Sequence, residues 1–263
     1  MLIKTWHSYH IVTMSPWPLL VSSHLFSLMA SLSFFLNTKI LVKAVLLKLV
    51  TVSLMFFWWK DAARERMIEG SHTSKVLQGL KVGIIIFILS EIFFFVSFFW
   101  GFFHFFLRPN VELGQVWPPL YISPINPVGT PLLNTIVLLS SGVTITCAHN
   151  FIISNLYTKG APFLYATWLL GLYFLVLQFS EYSCATFNIT DSTYGRIFFI
   201  GTGFHGIHVG VGTIFLVYSS YLVSAKWSNK DNLVRLDLAA WYWHFVDVVW
   251  IYLYLLIYWL PYV

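Results

Sequence analysis

The stretch VGIIIFILSEIFFFVSFFWGFFHFFL, Val82–Leu107, decides the fold because it is apolar along nearly its whole length. It contains 26 residues and a single formal charge, Glu91. As an α-helix it would be about 39 Å long, which exceeds the roughly 30 Å hydrocarbon core of a bilayer. A carboxylate in the middle of such a helix costs about 2.5–3.5 kcal/mol on insertion scales. The stretch therefore predicts a transmembrane helix in which Glu91 is either neutralised or functional.

The composition of the whole chain is that of a membrane protein. Of the 263 residues, 58% are hydrophobic and 10% are charged, whereas soluble domains are about 25% charged. The net charge of +5 comes without a run of Lys or Arg, so nucleic acid is not an expected partner. Cys147 and Cys184 fit neither a metal spacing nor a disulfide framework, and we expect both to be small core residues.

Six further apolar segments have the length of a membrane span. They are Trp17–Leu36, Ile40–Trp59, Pro131–Ile153, Phe163–Phe187, Arg196–Val223 and Leu238–Leu260. No run of alternating ten-residue segments suggests a β-barrel, so a backbone in lipid has to be helical. The loop Arg108–Thr130 is rich in Pro and Gly, which predicts a non-helical connection. The fold class is thus an all-α integral membrane protein with seven transmembrane helices.

The basic residues predict the orientation and a subdivision. Ten lie on the side of the N-terminus, namely Lys4, Lys60, Arg64, Arg66, Lys75, Lys81, Lys159, Lys226, Lys230 and Arg235. The other side holds Lys39, Arg108 and Arg196, with Lys43 just inside the second segment. The positive-inside rule places the N-terminus in the cytoplasm or mitochondrial matrix and the C-terminus outside. The long polar stretch Lys60–Gly79 predicts two units, residues 1–79 with helices 1–2 and residues 80–263 with helices 3–7.

Polar and small residues recur at helical spacing inside the spans. Gly206 and Gly210 form a small-xxx-small pair, which favours close packing of two helices. His244 and Asp247 are three residues apart and can pair, which would reduce the cost of burying each. Glu181 falls near the outer end of the fifth segment, and we expect it at the membrane interface.

Six histidines lie in or at the ends of spans: His24, His104, His149, His205, His208 and His244. Neutral imidazoles on facing helices can hold haem iron. However, no segment has two histidines at the spacing of a two-haem bundle, and no cluster of His, Cys and carboxylate exists. Hydrogen bonding between helices is the favoured interpretation, and the residues alone leave a channel, a transporter, a redox subunit and a scaffold open.

Several motifs follow one another through nearly the whole chain in the order of one family. They include Ser15-Pro16-Trp17-Pro18-Leu19, Trp58-Trp59-Lys60-Asp61, Leu89-Ser90-Glu91, Phe98-Phe99-Trp100, Glu112-Leu113-Gly114, Trp117-Pro118-Pro119, Pro131-Leu132-Leu133-Asn134-Thr135 and Ser141-Gly142-Val143-Thr144. The two most specific are TGFHGIHV, residues 202–209, and WYWHFVDVVW, residues 241–250. On these residues the chain resembles the subunit III family of the haem–copper cytochrome c oxidases, in its mitochondrial form.

The resemblance implies seven transmembrane helices in two bundles, helices 1–2 and 3–7, with a V-shaped cleft that holds phospholipid. It implies a non-redox core subunit of the terminal respiratory oxidase, complex IV, which transfers electrons from cytochrome c to O2 and pumps protons. Haem a, haem a3, CuA and CuB would belong to partner subunits, and this chain would hold no metal and have no catalytic residue. The implied place is the mitochondrial inner membrane, mainly against subunit 1, with subunit 2 and small accessory subunits nearby. The implied role is to support the stability and proton uptake of subunit 1.

The resemblance also implies roles for single residues. Glu91 matches the family's buried carboxyl group on helix 3, and we expect it to be protonated because a neutral acid avoids most of the cost of charge burial. The expected contacts to phospholipid (cardiolipin, phosphatidylglycerol or phosphatidylethanolamine) are Trp59, Arg64, Glu65, His72 and Lys226. The expected packing and polar network consists of His149, His205, Gly206, His208, Gly210, His244 and Asp247. The chain departs from the family at Leu222, where an arginine is common, and Lys226 is the nearest base.

Two other functions remain open on the residues. One is a stand-alone transporter or proton channel that uses Glu91, Glu181 and Asp247. The other is an intramembrane haem or quinone protein built on the histidines. Ion flux through the reconstituted chain would favour the first, and a Soret band in its absorption spectrum would favour the second.

Overall fold

The computed structural model describes residues 8–38, 42–67, 72–109, 111, 114–224 and 230–262, and within these ranges it contains helices and turns but no strand. The seven α-helices are α1 Trp17–Thr38, α2 Val42–Met67, α3 Ser74–Leu107, α4 Thr130–Ile153, α5 Tyr157–Cys184, α6 Thr193–Ser224 and α7 Lys230–Leu253. α7 continues as a π-helical turn, Tyr254–Trp259, in which the Leu260 amide donates to the Leu255 carbonyl. The predicted all-α fold with seven helices is confirmed.

Six of the described helical segments are long and apolar enough to cross a bilayer, and they belong to α1 and to α3–α7. α2 differs because its helix runs past the predicted end at Trp59 into charged sequence. The predicted polar loop Lys60–Gly79 is therefore wrong in its bounds, since α2 ends at Met67 and α3 begins at Ser74. The physical reason is that Ala, Arg, Glu and Lys favour helix although they are not apolar.

α6 also extends beyond its apolar segment, in this case at its start. Its predicted first residue was Arg196, but the helix begins at Thr193. The hydroxyl of Ser192 accepts a hydrogen bond from the amide of Gly195 at 3.0 Å, which is an N-cap contact. Residues that cap a helix are polar, so a prediction based on apolar segments leaves out the first turn of α6.

The described chain forms two compact units, Met1–Leu80 and Lys81–Val263. In the first unit α1 packs against α2. The indole nitrogen of Trp17 donates to Oδ2 of Asp61 at 2.6 Å, and the Trp17 ring stacks on Phe57 with centroids 6.0 Å apart. The start of α1 is thus tied to the end of α2, whereas the lipid-filled cleft stays a prediction.

In the second unit two tryptophans of α7 form the centre of the core. Trp243 and Trp250 are both fully buried. The indole nitrogen of Trp243 donates to the hydroxyl of Ser141 at 2.8 Å, and that of Trp250 donates to Thr135 at 3.0 Å. Both acceptors lie on α4, so the two bonds determine the register of α7 against α4.

Glycines on two helices make room for Trp243. A Cβ atom at Gly171 would lie 2.5 Å from Cη2 of Trp243, and one at Gly212 would lie 2.9 Å from Cε3. The glycines predicted to allow close packing behave differently, because a Cβ at Gly210 would meet nothing within 4 Å and one at Gly206 would meet only the Leu175 side chain at 3.9 Å. Of these three α6 glycines, Gly212 is therefore the one that makes the close approach to α7.

This arrangement predicts opposite outcomes for two alanine substitutions on α6. Gly212→Ala is expected to destabilise the protein by about 1–3 kcal/mol, because the new methyl group overlaps a fully buried indole. Gly210→Ala is the matched control and is expected to be neutral or slightly stabilising, because alanine favours helix. Thermal denaturation of the purified protein measures both, and equal stability of the two variants would contradict the packing around Trp243.

Candidate functional site

Glu91 on α3 lies opposite His208 on α6. Oε2 of Glu91 is 2.8 Å from Nε2 of His208, and the two side chains are 22% and 13% exposed. The other ring nitrogen, Nδ1 of His208, is 2.7 Å from the backbone carbonyl oxygen of Phe204. Because a carbonyl oxygen can only accept a hydrogen bond, Nδ1 carries a proton.

With Nδ1 protonated, two arrangements of the pair are neutral. In a neutral imidazole with Nδ1 protonated, Nε2 is an acceptor and takes a hydrogen bond from the protonated carboxyl group of Glu91. If Nε2 is protonated as well, it donates to a carboxylate. In both arrangements one proton lies between Oε2 and Nε2, and the pair as a whole is neutral. The neutrality expected of Glu91 stays a prediction, and either arrangement would remove most of the cost of an isolated charge.

Aromatic rings surround the Glu91–His208 pair. The ring centroid of Phe95 is 5.1 Å from that of His208, and the centroid of Phe245 is 6.3 Å away. The ring of Tyr242 lies nearly parallel to the imidazole at 6.5 Å. These rings keep the surroundings of the pair apolar, and a hydrogen bond is electrostatically stronger in such surroundings than in water.

A second carboxyl group, Glu181, is buried in the helix core with 4% of its surface exposed. Its Oε1 accepts from the hydroxyl of Tyr258 at 2.6 Å and from the amide of Gln178 at 3.3 Å. The Gln178 carbonyl oxygen accepts from the amide of Asn134 at 3.3 Å. The expectation that Glu181 lies near the membrane interface stays a prediction, and its side chain is buried against Tyr258 from the turn after α7.

A third polar group joins three helices of the second unit. Asp237 on α7 accepts from His149 on α4 at 2.7 Å and from Lys81 on α3 at 3.1 Å. His149 belongs to the predicted polar network, but its partner was missed. Asp237 lies one residue before the predicted start of the seventh span at Leu238, so the sequence assigned it to a loop.

The remaining histidines and the paired aspartate of the predicted network lie in different surroundings. His205 is fully buried, with the rings of Phe174 and Trp250 at 5.6 and 5.2 Å. Neither of its ring nitrogens has a hydrogen-bond partner among the described residues. His244 and Asp247 are neighbours, but Nδ1 and Oδ2 are 3.8 Å apart, which is longer than a hydrogen bond.

The residues expected to contact phospholipid belong to the first unit, except Lys226, which lies outside the described residues. Trp59 is 61% exposed and Arg64 is also exposed. Glu65 and His72 are partly buried against His10, which sequence reasoning missed. Oε2 of Glu65 is 3.1 Å from Nε2 of His10, and the rings of His10 and His72 meet edge to face at 5.7 Å.

In the part of the chain that the structure describes, no three His, Cys, Asp or Glu side chains form a group able to hold a metal ion. The fold and these contacts define a class: a polytopic α-helical membrane protein in which Glu91, Glu181 and Asp237 bind side chains of other helices.

Comparison with known proteins narrows the class to a family. The family described as Cytochrome c oxidase subunit III matches residues 7–262. The chain is 45% identical to "Cytochrome c oxidase subunit 3" of Rhipicephalus sanguineus over 96% of this chain and 98% of that protein. It is 46% identical to the protein of the same name from Aedes aegypti and 48% identical to that from Patiria pectinifera, over 96% of this chain and 97% of each relative. The chain belongs to the cytochrome c oxidase subunit III family. It is thus a subunit of the oxidase complex, complex IV, and the comparisons do not favour a stand-alone transporter.

The Glu91–His208 geometry predicts that the hydrogen bond matters more than the charge. In Glu91→Gln the amide can donate to Nε2 of His208, so we expect an assembled complex with nearly unchanged stability. In Glu91→Leu this nitrogen loses its partner, and we expect a loss of about 1–3 kcal/mol. Thermal denaturation of the purified oxidase and the amount of this chain retained in it measure the effect. Equal losses in both variants would show that the carboxyl group itself is required.

Proposed function

We propose that the chain is a non-redox core subunit that supports the stability and the proton uptake of subunit 1 and holds phospholipid. The observation that carries the proposal is the Glu91–His208 pair. In this pair the carboxyl group of Glu91 has its partner inside the chain, so that α3 is joined to α6 without an uncompensated charge. Such a pair suits a rigid support better than a conduit.

Titratable side chains on the predicted matrix side support a role in proton uptake. In the first unit these are His10, Glu65 and His72. In the second unit they are His149 and Asp237. Imidazole and carboxyl groups can both take up and release protons, so groups of this kind can deliver protons at the surface from which subunit 1 takes them.

We infer that haem a, haem a3, CuA and CuB belong to partner subunits, with subunit 1 as the main contact and subunit 2 and small accessory subunits as the others. This inference is supported by three of the span histidines, which have hydrogen-bond partners inside the chain. Nδ1 of His24 bonds the Leu20 carbonyl at 2.9 Å, and His149 and His208 bond carboxyl groups.

Removal of the chain from the purified oxidase tests the role. The haem content per subunit 1 is expected to stay constant, while proton uptake becomes slower and the enzyme loses activity earlier during turnover. Loss of haem in proportion to the chain would contradict a non-redox role.

The exposed base Arg64 and the exposed indole of Trp59 support binding of anionic phospholipid such as cardiolipin or phosphatidylglycerol, or of phosphatidylethanolamine. Indole rings favour the headgroup region, and bases near the membrane surface attract anionic lipid by about 1 kcal/mol each. Arg64→Gln combined with Lys226→Gln is expected to lower the anionic phospholipid that co-purifies with the oxidase, as measured by lipid mass spectrometry. Lys159→Gln, an exposed base at the start of α5, is the control. Unchanged lipid content in the double variant would contradict the site.

We propose that the chain lies in the mitochondrial inner membrane, with the N-terminus in the matrix and the C-terminus in the intermembrane space. Cys184 tests this orientation. It is exposed at the end of α5, so its prediction as a core residue is wrong, whereas Cys147 is half-buried. A membrane-impermeant maleimide is expected to label Cys184 from the intermembrane space in mitoplasts, and Cys184→Ser is expected to abolish this labelling. Labelling of Cys184 only in inverted membranes would reverse the orientation.

A further inference from the structure

His244 is unusually exposed for an ionisable side chain in its position. It lies in the middle of the membrane span Leu233–Trp259, and 46% of its side chain is exposed. The two other histidines in the middle part of spans in this unit, His205 and His208, are 0% and 13% exposed. Histidine in a membrane span faces protein or water, because hydrocarbon offers no hydrogen bond. The surface around His244 is therefore covered by something polar.

A buried carboxyl group lies directly beneath this surface. Asp247 is one turn beyond His244, and its side chain is 7% exposed. Gly142 on α4 makes room for it, because a Cβ atom there would lie 2.7 Å from Oδ2 of Asp247. Its other oxygen, Oδ1, has no hydrogen-bond partner among the residues that the structure describes. We call the group formed by Gly142, Thr146, His244 and Asp247 the α4–α7 notch.

The α4–α7 notch contains hydrogen-bond acceptors for which no donor is present among the described residues. The hydroxyl of Thr146 donates to the carbonyl of Gly142 at 2.8 Å. In the 3.4 Å contact between that hydroxyl and Nε2 of His244, the ring nitrogen is therefore the donor. A neutral imidazole then presents the bare Nδ1 to Oδ2 of Asp247, at 3.8 Å. A proton on Asp247 does not satisfy Nδ1, since this distance exceeds that of a hydrogen bond.

We propose that the α4–α7 notch docks a transmembrane helix of a neighbouring oxidase subunit, and that this helix presents a hydrogen-bond donor, a hydroxyl, amide or indole group, to His244 and Asp247. The proposal rests on membership of the oxidase complex. Exposed valines beside the notch, Val143 at 64% and Val248 at 51%, provide the apolar contact that such a helix needs.

Other occupants fit the notch less well. An acyl chain has no donor, and lipid headgroups lie too far from the middle of a span of this length. A second copy of the chain would meet the first through the same patch about a two-fold axis. That arrangement would place one donor-poor notch against another and satisfy neither.

A matched pair of valines tests the surface. Val143 and Val176 are both 64% exposed, the first beside the notch on α4 and the second on α5. In the intact oxidase, Val143→Trp is expected to lower the retention of this chain after detergent challenge, because the indole occupies the place of the partner helix. Val176→Trp is expected to be retained like the wild type. Equal retention of the two variants, or equal loss, would overturn the proposal.

The donor is tested at His244 itself. His244→Leu removes the hydrogen bond and is expected to weaken retention about fivefold, the factor given by one typical net hydrogen bond. His244→Gln keeps polar atoms at the site and is expected to restore most of the retention. Unchanged retention in His244→Leu would contradict the donor contact. Normal haem content in every variant keeps this outcome separate from a failure of the proposed function.

Cross-linking identifies the occupant. Val143→Cys in a chain with Cys147→Ala and Cys184→Ala is labelled with a benzophenone maleimide in the intact complex and irradiated, so that the benzophenone inserts into a C–H bond of its neighbour, and the products are identified by mass spectrometry. Attachment to a transmembrane helix of another subunit, next to a donor side chain, is expected. A cross-link only between two copies of this chain, or none, would overturn the proposal.

Discussion

The shortage of hydrogen-bond partners in hydrocarbon is the constraint on which the second unit depends. A polar side chain in a membrane span has to find its partner in protein, because water is not available to replace it. Three carboxyl groups of this unit meet the constraint in three ways. Glu91 is hydrogen-bonded to His208, one oxygen of Glu181 accepts from Tyr258 and Gln178, and Asp237 binds His149 and Lys81. Each solution joins residues of different helices, so satisfying the polar groups and assembling the bundle are the same event.

These polar contacts specify the packing more than they drive it. Hydrogen bonds between membrane helices contribute about 0.6 kcal/mol on average, so none of them holds the bundle alone. The tight packing lies around Trp243, where glycines of α5 and α6 bring two helices within contact of one indole. The indole N–H in turn bonds Ser141 on α4. Four helices thus meet at one side chain, and the hydrogen bond selects the register in which they do so.

The sequence predicted the number and type of the elements, because a membrane span is long and apolar along most of its length and can be found from composition alone. It misplaced the end of α2, where charged residues continue the helix, and it placed Asp237 in a loop. It identified His244 and Asp247 as neighbours because their spacing is local. The partnership of Glu91 with His208 could not be derived, since 117 residues separate them and no periodicity relates α3 to α6. The spacing of Gly206 and Gly210 marks a face of α6, but only the position of Trp243 decides that Gly212 is the glycine in close contact.

An unsatisfied polar pair that is also partly exposed distinguishes an interface of this chain from its inside, which hydropathy cannot do. A surface that faces lipid and a surface that faces another subunit are both apolar, so an exposed leucine or valine does not distinguish them. A half-exposed imidazole above a buried carboxyl group is different evidence, because lipid cannot supply the missing donor. The paired groups Glu91–His208 and Asp237–His149 are complete within the chain, whereas His244–Asp247 is not. In a protein that belongs to a multisubunit complex, we propose that an exposed and incomplete polar pair in the middle of a span marks the surface at which another chain completes it.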